Sequence, residues 1–212
     1  MLKKKKGLIL VISAPSGAGK TTLCKRLLQV SSSFISSVSF TTRPPRRNEI
    51  EGVDYCFVSQ EEFQKMIEKR KFVEWAEVHG RLYGTSANLL DQAIKEEKDV
   101  LLEVDVRGGT EIKKNYPQAV PIFLLPPSWR ELENRLVKRK TDDEEKVAQR
   151  IRQAKREIEY SPHYDYFIVN DDINRALEDL LAIIQAERCR IDRVAGEKLE
   201  ELKNPKNKAK EY

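Results

Sequence analysis

Little in this chain points to covalent cross-links, metal clusters or membrane insertion. Its 212 residues include only three cysteines and two histidines. Cys24, Cys56 and Cys189 lie far apart, and His79 and His163 stand alone, so neither a disulfide framework nor a zinc site is expected. The cysteines read as ordinary reduced thiols, which suits a cytoplasmic protein. Long apolar runs are also missing. Leu8 to Ile12 is too short to span a membrane, and Lys3 to Lys6 before it only imitate the start of a signal peptide.

Charge of one sign is scarce as well. The formal net charge is +5, from 39 Lys and Arg against 34 Asp and Glu, and Lys3 to Lys6 supply four of those charges. The remainder is almost neutral, so nucleic acid is not an expected partner. There is no repeat and no long linker, and the length suits one α/β domain with an insertion. Oligomeric state is not legible.

What the chain does have is an apolar run that ends in Ala14-Pro15-Ser16-Gly17-Ala18-Gly19-Lys20-Thr21-Thr22. Leu8 to Ile12 reads as a buried parallel strand and Thr21 to Leu28 as the start of an amphipathic helix, so the loop joins strand to helix. Such a loop turns backbone N–H groups inward, and the helix adds its positive end. Gly17 and Gly19 allow close approach, Lys20 supplies a charge for the β- and γ-phosphates, and the Thr21 hydroxyl suits Mg²⁺. Ala14 replaces the glycine of the strict pattern and is still small. A nucleotide polyphosphate is the expected ligand.

Beyond the loop, the pattern predicts strands at Ser36–Thr41 and Tyr55–Val58, with a capping box at Ser59–Glu62 opening a helix to about Lys69. A hairpin over Phe72–Val78 and Leu82–Tyr83 follows. From Asn88 the pattern alternates: helix to Lys95, strand Val100–Val104, helix Thr110–Asn115, strand Val120–Leu125, helix Ser128–Lys138. That rhythm implies a parallel central sheet. Val147, Ile151, Ala154 and Ile158 mark one face of a charged helix that is either solvated or a lid. A short strand at Ile168–Asn170 and a helix from Ile173 to about Val194 complete the domain, with a polar tail of little structure beyond.

A second site is suggested by Thr41-Thr42-Arg43-Pro44-Pro45-Arg46-Arg47, where arginines stiffened by prolines could hold a phosphate monoester bidentately. Taken alone, a solvated basic loop fits equally well. Glu74 and Asp105 are carboxylates with apolar neighbours. They match the N1–H and N2–H₂ donors of guanine, and they could equally be salt-bridged strand ends.

At these residues the chain resembles the guanylate kinase family. The resemblance runs from Leu8 to about Glu187, through Ser13–Lys20, Ser39–Arg46, Gly52–Tyr55, Phe72–Ala76, Tyr83–Thr85, Asp105–Gly108, Pro126–Ser128 and Val169–Asp172. It implies a P-loop NTPase three-layer α/β fold with a parallel central sheet. The core would cover about 7–38, 88–137 and 161–196, with a β-rich GMP-binding insertion at 39–87, a helical lid at 138–160 and a disordered tail at 197–212. The implied reaction is ATP + GMP ⇌ ADP + GDP with Mg²⁺, in purine nucleotide metabolism.

By the same resemblance, residues 14–22 with Arg135 and Asn170 hold ATP. Arg43, Arg46, Tyr55 and Tyr83 take the GMP phosphate, and Ser39, Glu74, Thr85 and Asp105 take its base. Lys20, Arg43, Arg139 and Arg150 carry the catalytic charge. Two departures from the family pattern are Arg107 for Gln and Lys140 for Gly. A phosphate acceptor is already anionic at pH 7, so no general base is required. A guanylate-kinase-like scaffold without catalysis, a kinase for another phosphorylated acceptor and a nucleic-acid-stimulated ATPase remain alternatives at this point.

Overall fold

The computed structural model describes residues 7–78, 80–137, 144–191 and 193. Lys3 to Lys6, His79, Arg139, Lys140, Val194 and the tail at 197–212 therefore lie outside the described residues.

Strand β1 (Ile9–Ser13) is buried along its whole length. It lies parallel to β7 (Asp99–Glu103) on one side and β8 (Val120–Leu125) on the other. With β2 (Phe34–Ser36) and β9 (Tyr166–Val169) at the edges, the order is β2-β7-β1-β8-β9, all parallel. A strand covered on both faces must be apolar at every position, which explains the uninterrupted run. Successive side chains point to opposite faces. Leu10 and Ile12 pack with Leu23 and Leu27 of α1 (Lys20–Val30) and Leu180 and Ile184 of α7 (Ile173–Arg188). Ile9 and Val11 pack on the other side with Leu90 of α3 (Ala87–Lys95) and Ile112 of α4 (Val106–Asn115). Three layers result.

The expected strand Ser36–Thr41 is two strands in two sheets. The Ser37 N–H still donates to Leu101 O, after which the chain leaves β7. It resumes as β3 (Ser39–Thr41) in a second sheet with β4 (Tyr55–Phe57), β5 (Phe72–Val78) and β6 (Arg81–Ser86), ordered β4-β3-β6-β5. Helix α2 (Gln60–Glu68) opens with the expected capping box, Ser59 and Glu62 bonding each other's backbone. It buries Phe63 completely, stacked 4.5 Å from Phe72. A register shift between Phe72 and Glu74 sets Glu74 opposite Thr85, so both side chains share one face.

Helix α4 begins four residues before the expected Thr110. The Asp105 carboxylate accepts from the Gly108 N–H at 2.7 Å and caps the helix. That cap outweighs the poor helix propensity of Gly108 and Gly109. Helix α5 (Trp129–Val137) packs Leu132 and Leu136 against Ala154 of α6 (Glu144–Ile158). Helix α7 ends at Arg188, with Cys189 as its C-cap, short of the expected Val194.

Phe63→Ala should destabilise the protein by about 3–5 kcal/mol, because it empties a fully buried aromatic site beneath the second sheet. Urea unfolding would measure this, and a loss below about 1 kcal/mol would contradict the packing described.

Candidate active site

The phosphate loop leaves β1 at the carboxyl edge of the central sheet, where open α/β sheets hold ligands. Its turn closes through Ala18 N–H donating to Pro15 O at 3.1 Å. Gly19 has φ 97°, and a Cβ there would stand 2.3 Å from Asn170 Nδ2. Only glycine meets both demands. That amide nitrogen donates to Ala18 O at 2.7 Å, and Asn170 is only 6% exposed. The structure thus places Asn170 behind the loop as a brace. Arg135 also lies there, donating to Asn170 O at 3.3 Å and Glu131 Oε1 at 2.9 Å.

Lys20 Nζ donates to Val104 O at 2.6 Å, and the Thr21 hydroxyl donates to the Glu103 carboxylate. No motif in the sequence marks Glu103. Its position at the end of a buried strand, two residues before Asp105, is the signal that could have found it. Cys24 is buried beneath the loop, and burial, reinforced by Glu103, pushes its thiol far above the ordinary range. It stays protonated and is no nucleophile.

On the far side, Glu74 is only 9% exposed and accepts from the Thr85 hydroxyl at 2.5 Å. A Cβ on Gly108 would fall 2.6 Å from Glu74 Oε2, so the glycine leaves room for the acid in its present position. Burial raises the Glu74 carboxyl from 4.5 to about 7, with the Thr85 hydrogen bond opposing and nearby Asp105 adding to the rise. Asp105 is held in turn by Ser13 Oγ, which donates to its carbonyl at 3.0 Å, and by the cap to Gly108. Tyr164 OH donates to the next carbonyl, Val106 O, at 3.1 Å.

Arg43 is bidentate to Glu49, at 2.9 and 2.8 Å, and also donates to Tyr83 OH at 3.2 Å. Its guanidinium lies 5.3 Å from the Tyr55 ring centroid. Glu49 also accepts from the Arg46 N–H at 2.8 Å, so this acid orders the basic loop. The Arg46 side chain is exposed, as is Arg107 on the first turn of α4.

One cavity of about 330 Å³ joins these parts. It is lined by Ala14, Pro15, Ser16, Gly17, Gly19, Lys20, Thr21 and Thr22 from the loop, and by Ser39, Tyr55, Glu74, Tyr83 and Asp105 opposite. Glu103 forms part of the wall, and Gln153 and Glu157 of α6 complete it. Ala18, Thr85, Asn170 and Arg135 stand behind this lining, and Arg43, Arg46 and Arg150 are not part of it. Nor does the sequence mark Glu157, one charge among many on α6. Its Oε2 accepts from the Ser16 N–H at 3.1 Å.

The fold and this cleft define a phosphate-loop nucleotide kinase. A family model for guanylate kinase matches residues 6–187. The guanylate kinase of Caldanaerobacter subterraneus subsp. tengcongensis is 47% identical over 190 residues, covering 90% of this chain and 92% of that one. The guanylate kinase of Myxococcus xanthus is 50% identical over 194 residues, 91% and 93% of the two chains. A crystal structure of guanylate kinase from Anaplasma phagocytophilum matches with a TM-score of 0.78 at 33% identity, covering 96% of each chain. The chain belongs to the guanylate kinase family and catalyses the ATP-dependent phosphorylation of GMP.

The Glu74 carboxyl ionises near 4.5 when unfolded and near 7 when folded. Its contribution therefore favours folding below pH 4.5 and is lost as pH rises through 7, a change on the order of 3 kcal/mol. Glu74→Gln should accordingly gain stability relative to the parent protein between pH 5 and pH 8 in urea titrations. Parallel pH dependences would contradict the raised carboxyl.

Proposed function

We propose that the phosphate loop holds the ATP phosphates, that Glu74, Thr85, Asp105 and Ser39 read guanine, and that transfer occurs directly between them. The observation that carries this is the single cavity running from Lys20 to Glu74 and Asp105. Two anions approaching each other need positive charge between them. Lys20 would turn from Val104 O to the β- and γ-phosphates, and Arg43 and Arg46 would hold the acceptor phosphate with Tyr55 and Tyr83. Arg43 can do so because Glu49, Tyr83 and Tyr55 already fix its orientation. Arg139 and Arg150 would add charge from the lid, taken as residues 138–160, while residues 39–87 form the acceptor insertion.

Thr21 and Glu103, paired beside Lys20, supply the hard oxygen donors that Mg²⁺ prefers, so the residues fit this ion. Held there, the ion would supply positive charge that offsets the charge of the nucleotide phosphates. The chain's own part is to align acceptor oxygen and γ-phosphorus and to exclude water. No side chain need take a proton, because the GMP phosphate is already ionised. Glu74 must be anionic to accept from N1–H and N2–H₂, and adenine, with a lone pair at N1, would meet repulsion there.

Among the described residues no helix is long and apolar enough to cross a membrane. A cytoplasmic setting, where thiols stay reduced, suits the free Cys24, Cys56 and Cys189, and turning GMP into GDP would supply guanine nucleotides for purine metabolism.

The test is ADP formation from Mg-ATP with GMP, AMP, CMP and UMP in turn. The parent protein should turn over GMP and show negligible ATP loss without an acceptor. Lys20→Ala should lose at least about three orders of magnitude in kcat while remaining folded. Glu74→Gln should raise KM for GMP and narrow the preference over AMP. An active Lys20→Ala protein would remove the loop assignment, and unchanged selectivity in Glu74→Gln would assign base reading elsewhere.

A further inference from the structure

A loop built to bind anions already has one. The Glu157 carboxylate reaches from the last turn of α6 to the Ser16 N–H, a link across 141 positions of sequence. Its other oxygen accepts from Gln153 Nε2 at 2.9 Å, one turn back on the same helix. Gln153 and Glu157 line the cavity together with Lys20.

Both of these donors are neutral, and burial makes the charge on Glu157 costly, with Asp105 opposing it and Lys20 only partly compensating. The contact is therefore one that a stronger anion can displace. A triphosphate offers several oxygens to successive loop amides and to Lys20 at once. It also repels a carboxylate held in the same cleft, so the two cannot share the loop without loss.

We propose that Glu157 is a place-holding anion for the phosphate loop. Without nucleotide it keeps α6 docked on Ser16, and the nucleotide phosphates must displace it. This rests on the reading of residues 14–22 as the ATP-phosphate site. Displacement and binding are then linked, and docking weakens nucleotide affinity by the factor with which nucleotide weakens docking. Positions 150 and 157 are seven residues apart on α6 and share a helix face. Release of the acid thus frees the helix that carries Arg150, and closure on ATP exchanges an acid at the loop for a helix that bears a base.

The experiment is calorimetric titration of the full chain with magnesium-free ADP and with inorganic tripolyphosphate, in the absence of GMP. Glu157→Gln keeps the side-chain size and removes the charge. It should bind both ligands about tenfold more tightly than the parent protein. Hydrogen exchange gives a readout independent of turnover. Exchange in α6 should rise when tripolyphosphate is added to the parent protein, and should already be raised in ligand-free Glu157→Gln. Gln153→Ala, which removes one hydrogen bond from the carboxylate, should shift affinity in the same direction by a smaller factor, and it serves if Glu157→Gln fails to fold. Unchanged or weaker binding in a folded variant overturns the proposal while leaving the loop assignment intact. A parent protein that binds neither ligand overturns both.

Discussion

The bond from the Asn170 side chain to the carbonyl of Ala18 is the contact on which the site depends. A phosphate loop must present bare N–H groups, so its carbonyls face away from the ligand and need partners elsewhere. Asn170 stands just past β9 and meets that need for Ala18 from behind the loop. The same amide closes the space beside Gly19, where any Cβ would collide with it. The loop's shape is therefore held jointly by a positive φ and by a neighbour 151 positions away in sequence. The central sheet exists, in this sense, to bring β1 and β9 to one edge around β8.

At the opposite wall, the proposed reading of guanine rests on Glu74, an acid kept under unfavourable conditions, with Asp105 beside it. Glu74 is nearly enclosed, and nearby Asp105 adds to the cost of its charge. Their positions are fixed by backbone devices: the register shift before Glu74, the missing side chain at Gly108, and the cap by which Asp105 starts α4. Buried acceptors with few other partners discriminate well because a base that lacks matching donors leaves them unsatisfied. On the proposed reading, stability is given up here for the sake of recognition.

Much of this was legible in the sequence. The run Leu8–Ile12 and the loop after it are local signals, and so is the capping box at Ser59. Features set by distant contacts were not. Ser36–Thr41 reads as one strand because nothing in its composition marks where it exchanges β7 for a new partner. Helix α4 reads as starting late because Gly108 and Gly109 hide a cap whose strength depends on geometry. Asn170 reads as a ligand contact, and only the fold shows that its amide braces a carbonyl 152 residues earlier. Glu49, Glu103 and Glu157 were missed for a related reason. Among 34 acidic residues, only the fold shows which ones face Arg43, Thr21 and Ser16.

Direct transfer as proposed requires that one cleft hold both nucleotides end to end. The most direct test is steady-state inhibition by a compound that joins adenosine to guanosine through an oligophosphate. If loop and acceptor wall form one continuous site, the compound will compete with ATP and with GMP alike and bind more tightly than either. Competition with only one substrate, or affinity no better than that of the separate nucleotides, would contradict a shared cleft.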